Sequence, residues 1–156
     1  MKFFMKQKIS SYKDKYYIYD DRGKRKYCVT IHTGILSSGI KVTNMSGHKI
    51  GMIEQKRRAL STFFEVKAGG KTLGSVERYD GATAPKVRLH FQGWKITGYP
   101  RNKDYTISKL FHEVIRVHKG LLSDKYVLNI HEELHEIPCI LLAVAIDTMQ
   151  NCRIID

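Results

Sequence analysis

IPCILLAVAIDTM, residues 137–149, is the stretch that decides the fold of this chain. Eight consecutive residues within it, 139–146, carry no polar side chain, although the chain has a formal net charge of +12. Pro138 suits the first turn of a helix, where its missing N–H costs nothing, and the acidic Glu136 before it suits the helix dipole. The pattern predicts a helix over about residues 137–151 that is apolar on every face.

The length of this helix argues against a membrane span. Residues 137–146 rise about 15 Å as a helix, whereas the hydrocarbon core of a bilayer is roughly 30 Å thick. A short helix that is apolar all round is typical of a protein interior. We therefore predict no transmembrane segment, and we expect the rest of the chain to surround the helix.

The preceding part of the chain has the pattern of β-strands. Short runs rich in Tyr, Val, Ile and Thr are separated by turn signals such as DDRG 20–23, MSGH 45–48 and AGGK 68–71. Their spacing predicts about twelve strands over about residues 3–130. A barrel of about eight strands fills its own lumen with side chains, whereas a wider one leaves room inside. We therefore predict a mainly β fold in a single domain, 1–156, in which an antiparallel barrel encloses the central hydrophobic C-terminal α-helix.

A weak internal repeat agrees with this prediction. Three segments share a basic strand end, a connector with Ser or Gly, and an aromatic-led strand: 5–20, 53–68 and 115–130. Tyr16, Phe64 and Tyr126 take equivalent places in them. Because the spacing between the copies is uneven, we interpret them as repeated hairpins of one large sheet rather than as a solenoid.

Several segments in this order are similar to those of a known family: KQKISSYKDKYYIYDDRG (6–23), GWKITGYPRNKDYTI (93–107), SDKYVLNIHEE (123–133), and the apolar helix ending in Asp147. The chain resembles the LURP-one-related proteins, which share the tubby-like fold with the tubby C-terminal domain and the phospholipid scramblases. The resemblance covers essentially the whole chain and implies a twelve-stranded barrel around a central helix. It implies much less about activity.

The charge of the chain indicates an anionic partner. Residues 1–130 hold 26 basic and 10 acidic side chains, a net charge of +16, whereas residues 131–156 are acidic. Tubby domains bind phosphoinositide headgroups through basic residues, so the resemblance makes anionic phospholipid headgroups the leading partner. The candidate binding residues are Lys24, Arg25, Lys26, Lys56, Arg57, Arg58, Arg101 and Lys103. The alternative is a solvated basic surface without a specific ligand.

An enzymatic alternative depends on HEELH, residues 131–135, which matches the HExxH pattern of zinc peptidases. That chemistry needs His131 and His135 on one face of a helix, with Glu132 as the general base. The string follows a predicted strand directly and precedes Pro138, so we predict a loop instead. The sequence also lacks a nucleophile elbow and a phosphate-binding loop. We predict a non-enzymatic protein with no catalytic residues, metal or cofactor.

A nucleic-acid-associated regulatory protein is the remaining alternative, although the apolar helix is unsuitable as a recognition helix.

Three scattered cysteines without a CxxC motif indicate a reducing compartment, and Lys6 and Lys8 interrupt any signal-peptide core. These features predict a cytoplasmic protein, and its basic face adds the expectation of peripheral association with the inner membrane surface. Asp147 is expected either at the barrel mouth or beside a lining Lys or Arg.

Overall fold

The computed structural model describes residues 1–6, 15–33, 38–59, 61–80, 85–120 and 125–151. Over these residues it contains twelve β-strands, one α-helix and two short 3-10 helices. Their bounds are β1 Lys2–Lys6, β2 Lys15–Asp20, β3 Arg25–Thr33, β4 Ser38–Asn44, β5 Lys49–Arg58, β6 Ser61–Ala68, β7 Lys71–Asp80, β8 Pro85–His90, β9 Trp94–Tyr99, η1 Pro100–Asn102, β10 Asp104–Lys109, β11 His112–Lys119, β12 Lys125–Ile130, η2 Glu133–His135 and α1 Glu136–Asn151.

The strands form one antiparallel sheet in the order β8-β7-β6-β5-β4-β3-β2-β1-β12-β11-β10-β9. The pairing of β1 with β12, for example Phe3 opposite Leu128, brings the two ends of the chain together. Within the described part of the chain, no hydrogen-bonded ladder joins β8 to β9, so the sheet is a nearly closed barrel with a seam between these strands. The predicted mainly β fold, an antiparallel barrel with a C-terminal helix, is confirmed.

Alternation of side chains along each strand defines the barrel interior. In β1, Phe3 and Met5 are buried, whereas Lys2 and Lys6 are exposed, which is the period of two expected for a sheet with one wet face. The inward side chains of the strands and those of α1 form one continuous hydrophobic cluster. Helix burial and strand register therefore depend on each other.

The predicted repeats correspond to hairpins of this sheet. β1 pairs with β2, β5 with β6, and β11 with β12, each antiparallel. Phe64 and Tyr126 are buried and Tyr16 packs against the core, so the equivalent aromatic side chains all contribute to the interior. Residues 7–14 and 121–124, which include the connectors of two copies, lie outside the described residues.

The helix α1 begins at Glu136, one residue before the predicted start, and packs against β5, β6, β7 and β12. From Cys139 to Ile146 no side chain is more than 1% exposed. At Gly51 in β5, an added Cβ would lie 2.5 Å from Cδ1 of Leu141, so glycine is what allows this strand to approach the helix. Among the residues that the structure describes, no helix has both the length and the apolarity needed to cross a bilayer.

Contacts at both ends fix the helix in the barrel. The Tyr27 hydroxyl donates a hydrogen bond of 2.6 Å to Oε1 of Glu136, and burial together with this carboxylate raises the pKa of Tyr27 above its usual range. At the other end, the Arg78 guanidinium donates to the Met149 carbonyl at 3.1 Å, which satisfies one of the last carbonyls of the helix.

Antiparallel pairing assigns successive connections to opposite ends of the barrel. The turns 21–24, 45–48, 69–70, 91–93 and 110–111 lie at the end where α1 begins, which we call the entry end. The odd-numbered strands end, and the even-numbered strands begin, at the end where α1 finishes, which we call the exit end; η1 lies there as well.

We expect Leu142→Asp to abolish cooperative folding. The Leu142 side chain is fully buried, so the substitution places an unpaired carboxylate in the core and lowers the free energy of unfolding by more than about 4 kcal/mol. Urea denaturation followed by circular dichroism measures the effect. Ile137→Asp, at a 39% exposed position in the first helical turn, is the matched control and should remain close to wild type. A folded, soluble Leu142→Asp variant would contradict the central position of α1.

Candidate functional site

The predicted basic residues do not converge on one site, because they are divided between the two ends of the barrel. Lys24, Arg25 and Lys26 lie in the β2–β3 turn and at the start of β3, at the entry end. Lys56, Arg57 and Arg58 close β5 at the exit end, and Arg101 and Lys103 lie in the β9–β10 connection at the same end. The division follows directly from the alternation of turns in an antiparallel sheet.

Further basic side chains that were not among the predicted binding residues lie at the exit end, at the ends of β1, β2, β8 and β11. We use the name exit-end basic surface for the exposed residues Lys6, Lys15, Lys56, Arg57, Arg58, Lys86, Arg101 and Lys119. Among the described side chains near this end, Asp104 forms an ion pair with Arg116, Asp147 pairs with Lys103, and Glu65 and Glu77 pair with Lys56 and His90. The exit end is therefore strongly positive.

Local contacts orient parts of this surface. Nζ of Lys56 lies 2.7 Å from Oε2 of Glu65, and this hydrogen bond lowers the pKa of the Glu65 carboxyl. The Arg58 guanidinium lies 5.6 Å from the centre of the Phe63 ring. A cation–π contact positions a guanidinium without neutralising it, so Arg58 keeps its full charge for an anionic partner.

The entry end differs in chemistry, because carboxylates and apolar tips interrupt its basic residues. Asp20 Oδ1 accepts hydrogen bonds from the backbone N–H groups of Arg22 and Lys24, which fixes the β2–β3 turn. Phe111 at the β10–β11 turn is 98% exposed, and Leu134 in η2 is also exposed. This end carries mixed charge and exposed apolar groups rather than a uniform positive field.

HEELH lies before the helix α1, not within it. His131 follows β12 and forms a 2.7 Å hydrogen bond with Glu113. His135 lies in η2, and its ring is perpendicular to that of Trp94, with 5.7 Å between the two ring centres. The two imidazoles therefore contact different partners and do not share a helix face, as the zinc peptidase arrangement requires. In the described ranges, no three His, Cys, Asp or Glu side chains are grouped as metal ligands.

Lys103 and Asp147 form an ion pair inside the exit end. Nζ of Lys103 lies 3.6 Å from Oδ1 of Asp147, and the two side chains are 8% and 10% exposed. Lys103 has a left-handed backbone (φ 55°) and closes η1 by donating its N–H to the Pro100 carbonyl. Of the two environments expected for Asp147, the structure shows the pairing with a basic side chain. Lys103, a predicted binding residue, is thus buried and lies outside the exit-end basic surface.

Aromatic side chains complete the environment of this pair. The Lys103 ammonium lies 4.7 Å from the centre of the Tyr126 ring. Burial first, and the Asp147 carboxylate second, raise the pKa of both Tyr126 and Tyr105, so these hydroxyls stay protonated and neutral. The lysine and the aspartate therefore balance each other's charge in an otherwise uncharged pocket.

A groove of about 750 Å³ opens at the exit end of the seam between β8 and β9. Its walls come from the end of β7, the start of β8, the end of β9 and η1, and Gln150 of α1 also lines it. Two residues of the exit-end basic surface, Lys86 and Arg101, lie in these walls. This groove was not predicted, because an open seam depends on which two neighbouring strands fail to pair.

We expect Asp147→Asn to reduce the free energy of unfolding by about 3 kcal/mol, because it leaves the buried Lys103 ammonium beside a neutral amide. The double variant Lys103→Met with Asp147→Asn should lose less than the sum of the two single variants, since no uncompensated charge then remains buried. Urea denaturation of the four proteins in this cycle measures the coupling. Additive losses would contradict a buried ion pair.

Comparisons with known proteins place this geometry in context. The family model described as LURP-one-related matches residues 1–147. A Bacillus subtilis protein described as uncharacterized protein YxjI is 30% identical over 146 residues, and the match covers 92% of this chain and 90% of that protein. An X-ray structure of an Arabidopsis thaliana protein is similar with a TM-score of 0.62 at 16% identity, covers 95% of this chain and 91% of the other, and shows a shared fold.

Proposed function

The chain belongs to the LURP-one-related family, and we propose that it is a non-enzymatic module that docks with its exit end on anionic phospholipid surfaces. The observation that carries the proposal is the charge difference between the two ends of the barrel. The exit-end basic surface draws exposed cations from six separated parts of the chain, β1, β2, β5, β8, η1 and β11. Anionic bilayers attract such clusters through the summed field of many charges.

The form of the surface suits a lipid headgroup layer. Its cations surround the mouth of the barrel and lie at strand ends and in connections, where long side chains extend into solvent. Each basic residue close to an anionic membrane contributes about 1 kcal/mol, so several together give useful affinity without a deep pocket. Screening by salt should weaken such docking steeply.

A binding role also agrees with the HEELH contacts. His131 pairs with Glu113, and His135 packs on Trp94, so each imidazole has a local structural partner. The proposal therefore assigns these residues to the support of η2 and the start of α1, and it gives them no part in metal-dependent hydrolysis.

Vesicle flotation tests the proposal with two matched triple variants. We expect Lys56→Gln, Arg57→Gln and Arg58→Gln together to weaken binding to vesicles containing phosphatidylglycerol by about 100-fold at low salt, from the loss of three contributions of about 1 kcal/mol. The control is Lys24→Gln, Arg25→Gln and Lys26→Gln, which removes the same charge from the entry end and should have a much smaller effect.

Four outcomes would contradict the proposal. Equal flotation with phosphatidylcholine vesicles would show that lipid charge plays no part, and a larger effect of the entry-end triple variant would reverse the docking direction. If Phe111→Ser abolished flotation while the exit-end triple variant retained it, the exposed apolar tip would be the membrane contact instead. Tight, salt-sensitive binding of oligonucleotides without any vesicle binding would favour the nucleic-acid alternative.

A further inference from the structure

The seam between β8 and β9 widens towards the exit end. The turn between the strands is short and is closed by the Trp94 N–H, which donates to the Phe91 carbonyl at 3.1 Å, so the strands leave the entry end side by side. Among the described residues no ladder hydrogen bonds follow, and the groove lies between the start of β8 and the end of β9. The facing edges of both strands therefore carry backbone groups that are outside any ladder.

The groove has an apolar interior and a cationic rim. Val87 of β8 and Ile96 of β9 line it and are partly buried against the hydrophobic core. Lys86 and Arg101 line it from opposite walls, and both side chains are exposed. The volume of about 750 Å³ lies within the range of small-molecule sites, roughly 300–1,000 Å³.

Aromatic side chains flank the same groove. Tyr79 of β7 and Tyr99 of β9 line it, and the Arg88 guanidinium lies 4.5 Å from the centre of the Tyr79 ring. Gly98 also lines the groove and contributes no side chain to the β9 wall. The wall is consequently open to an extended apolar chain.

We propose that this groove binds one molecule of an anionic amphiphile, with its phosphate between Lys86 and Arg101 and its single alkyl or acyl chain between Val87 and Ile96. A guanidinium and an ammonium are suited to a phosphate ester, the first by bidentate hydrogen bonds and the second as a point charge. A soluble phosphate would leave the apolar interior of the groove wet, whereas an uncharged amphiphile would leave both cations without an anion. The apolar interior and the cationic rim together therefore favour a molecule that has both an alkyl or acyl chain and a phosphate.

This inference rests on the proposed function, because docking of the exit end would bring the groove to the source of such amphiphiles. Its test uses monomeric compounds and no membrane, so the two proposals can fail separately. The probe is dodecyl phosphate below its micellar concentration. Inorganic phosphate and dodecyl maltoside, which has the same chain with an uncharged headgroup, are the comparison ligands.

We expect dodecyl phosphate to bind saturably, with amide chemical-shift changes concentrated in β8, β9 and η1, and to bind at least about tenfold more tightly than either comparison ligand. Lys86→Gln with Arg101→Gln should weaken its binding about tenfold or more. Lys15→Gln with Lys119→Gln removes the same charge from the exit end away from the seam, and this control should leave the affinity unchanged.

A second variant distinguishes ligand binding in the groove from vesicle binding by the exit-end basic surface. Val87→Trp places an indole in the groove and should abolish saturable dodecyl phosphate binding while vesicle flotation persists, since no charge is removed. Circular dichroism confirms its fold, and Lys86→Gln with Arg101→Gln tests dodecyl phosphate binding without a change in the core. Equal affinity for inorganic phosphate, equal affinity for dodecyl maltoside, or shift changes centred outside the seam would each overturn the proposal.

Discussion

The burial of an apolar helix inside the barrel is the constraint on which the rest of the structure depends. The side chains from Cys139 to Ile146 are at most 1% exposed, so the sheet must curve around all sides of α1. In turn, a sheet of this width would leave a void that its own side chains cannot fill. The helix and the barrel bury each other's apolar surfaces, and Gly51 shows how closely the two surfaces fit.

The burial of α1 also determines that the polar contacts of its last turns lie at the exit end. Because α1 follows β12 from the entry end, its last turns reach the opposite mouth, where Asp147 meets Lys103 and Met149 meets Arg78. Two basic side chains thus support the end of the helix, while the exposed ones around them form the exit-end basic surface. The open seam lies at this end as well, and Gln150 of α1 lines its groove.

Sequence reasoning predicted the features that depend on local periodicity. The alternation in β1 and the unbroken apolar run of α1 were sufficient for the fold class, and the helix start differed from the prediction by one residue. The division of basic residues between two ends was not predicted, although the alternation of hairpins contains that information. The burial of Lys103 and the seam between β8 and β9 depend on tertiary contacts, which neither spacing nor composition records.

The Lys103–Asp147 pair connects the interior of the barrel with its proposed binding surface. Lys103 closes the 3-10 turn η1 in a left-handed conformation, and η1 also carries Arg101 at the rim of the groove. Through the ion pair, the position of η1 is fixed relative to α1, which is itself fixed by the core. A buried charge pair adds little net stability compared with apolar packing, but it does define one geometry. We infer that its contribution here is to hold Arg101 at a constant distance from the end of the helix.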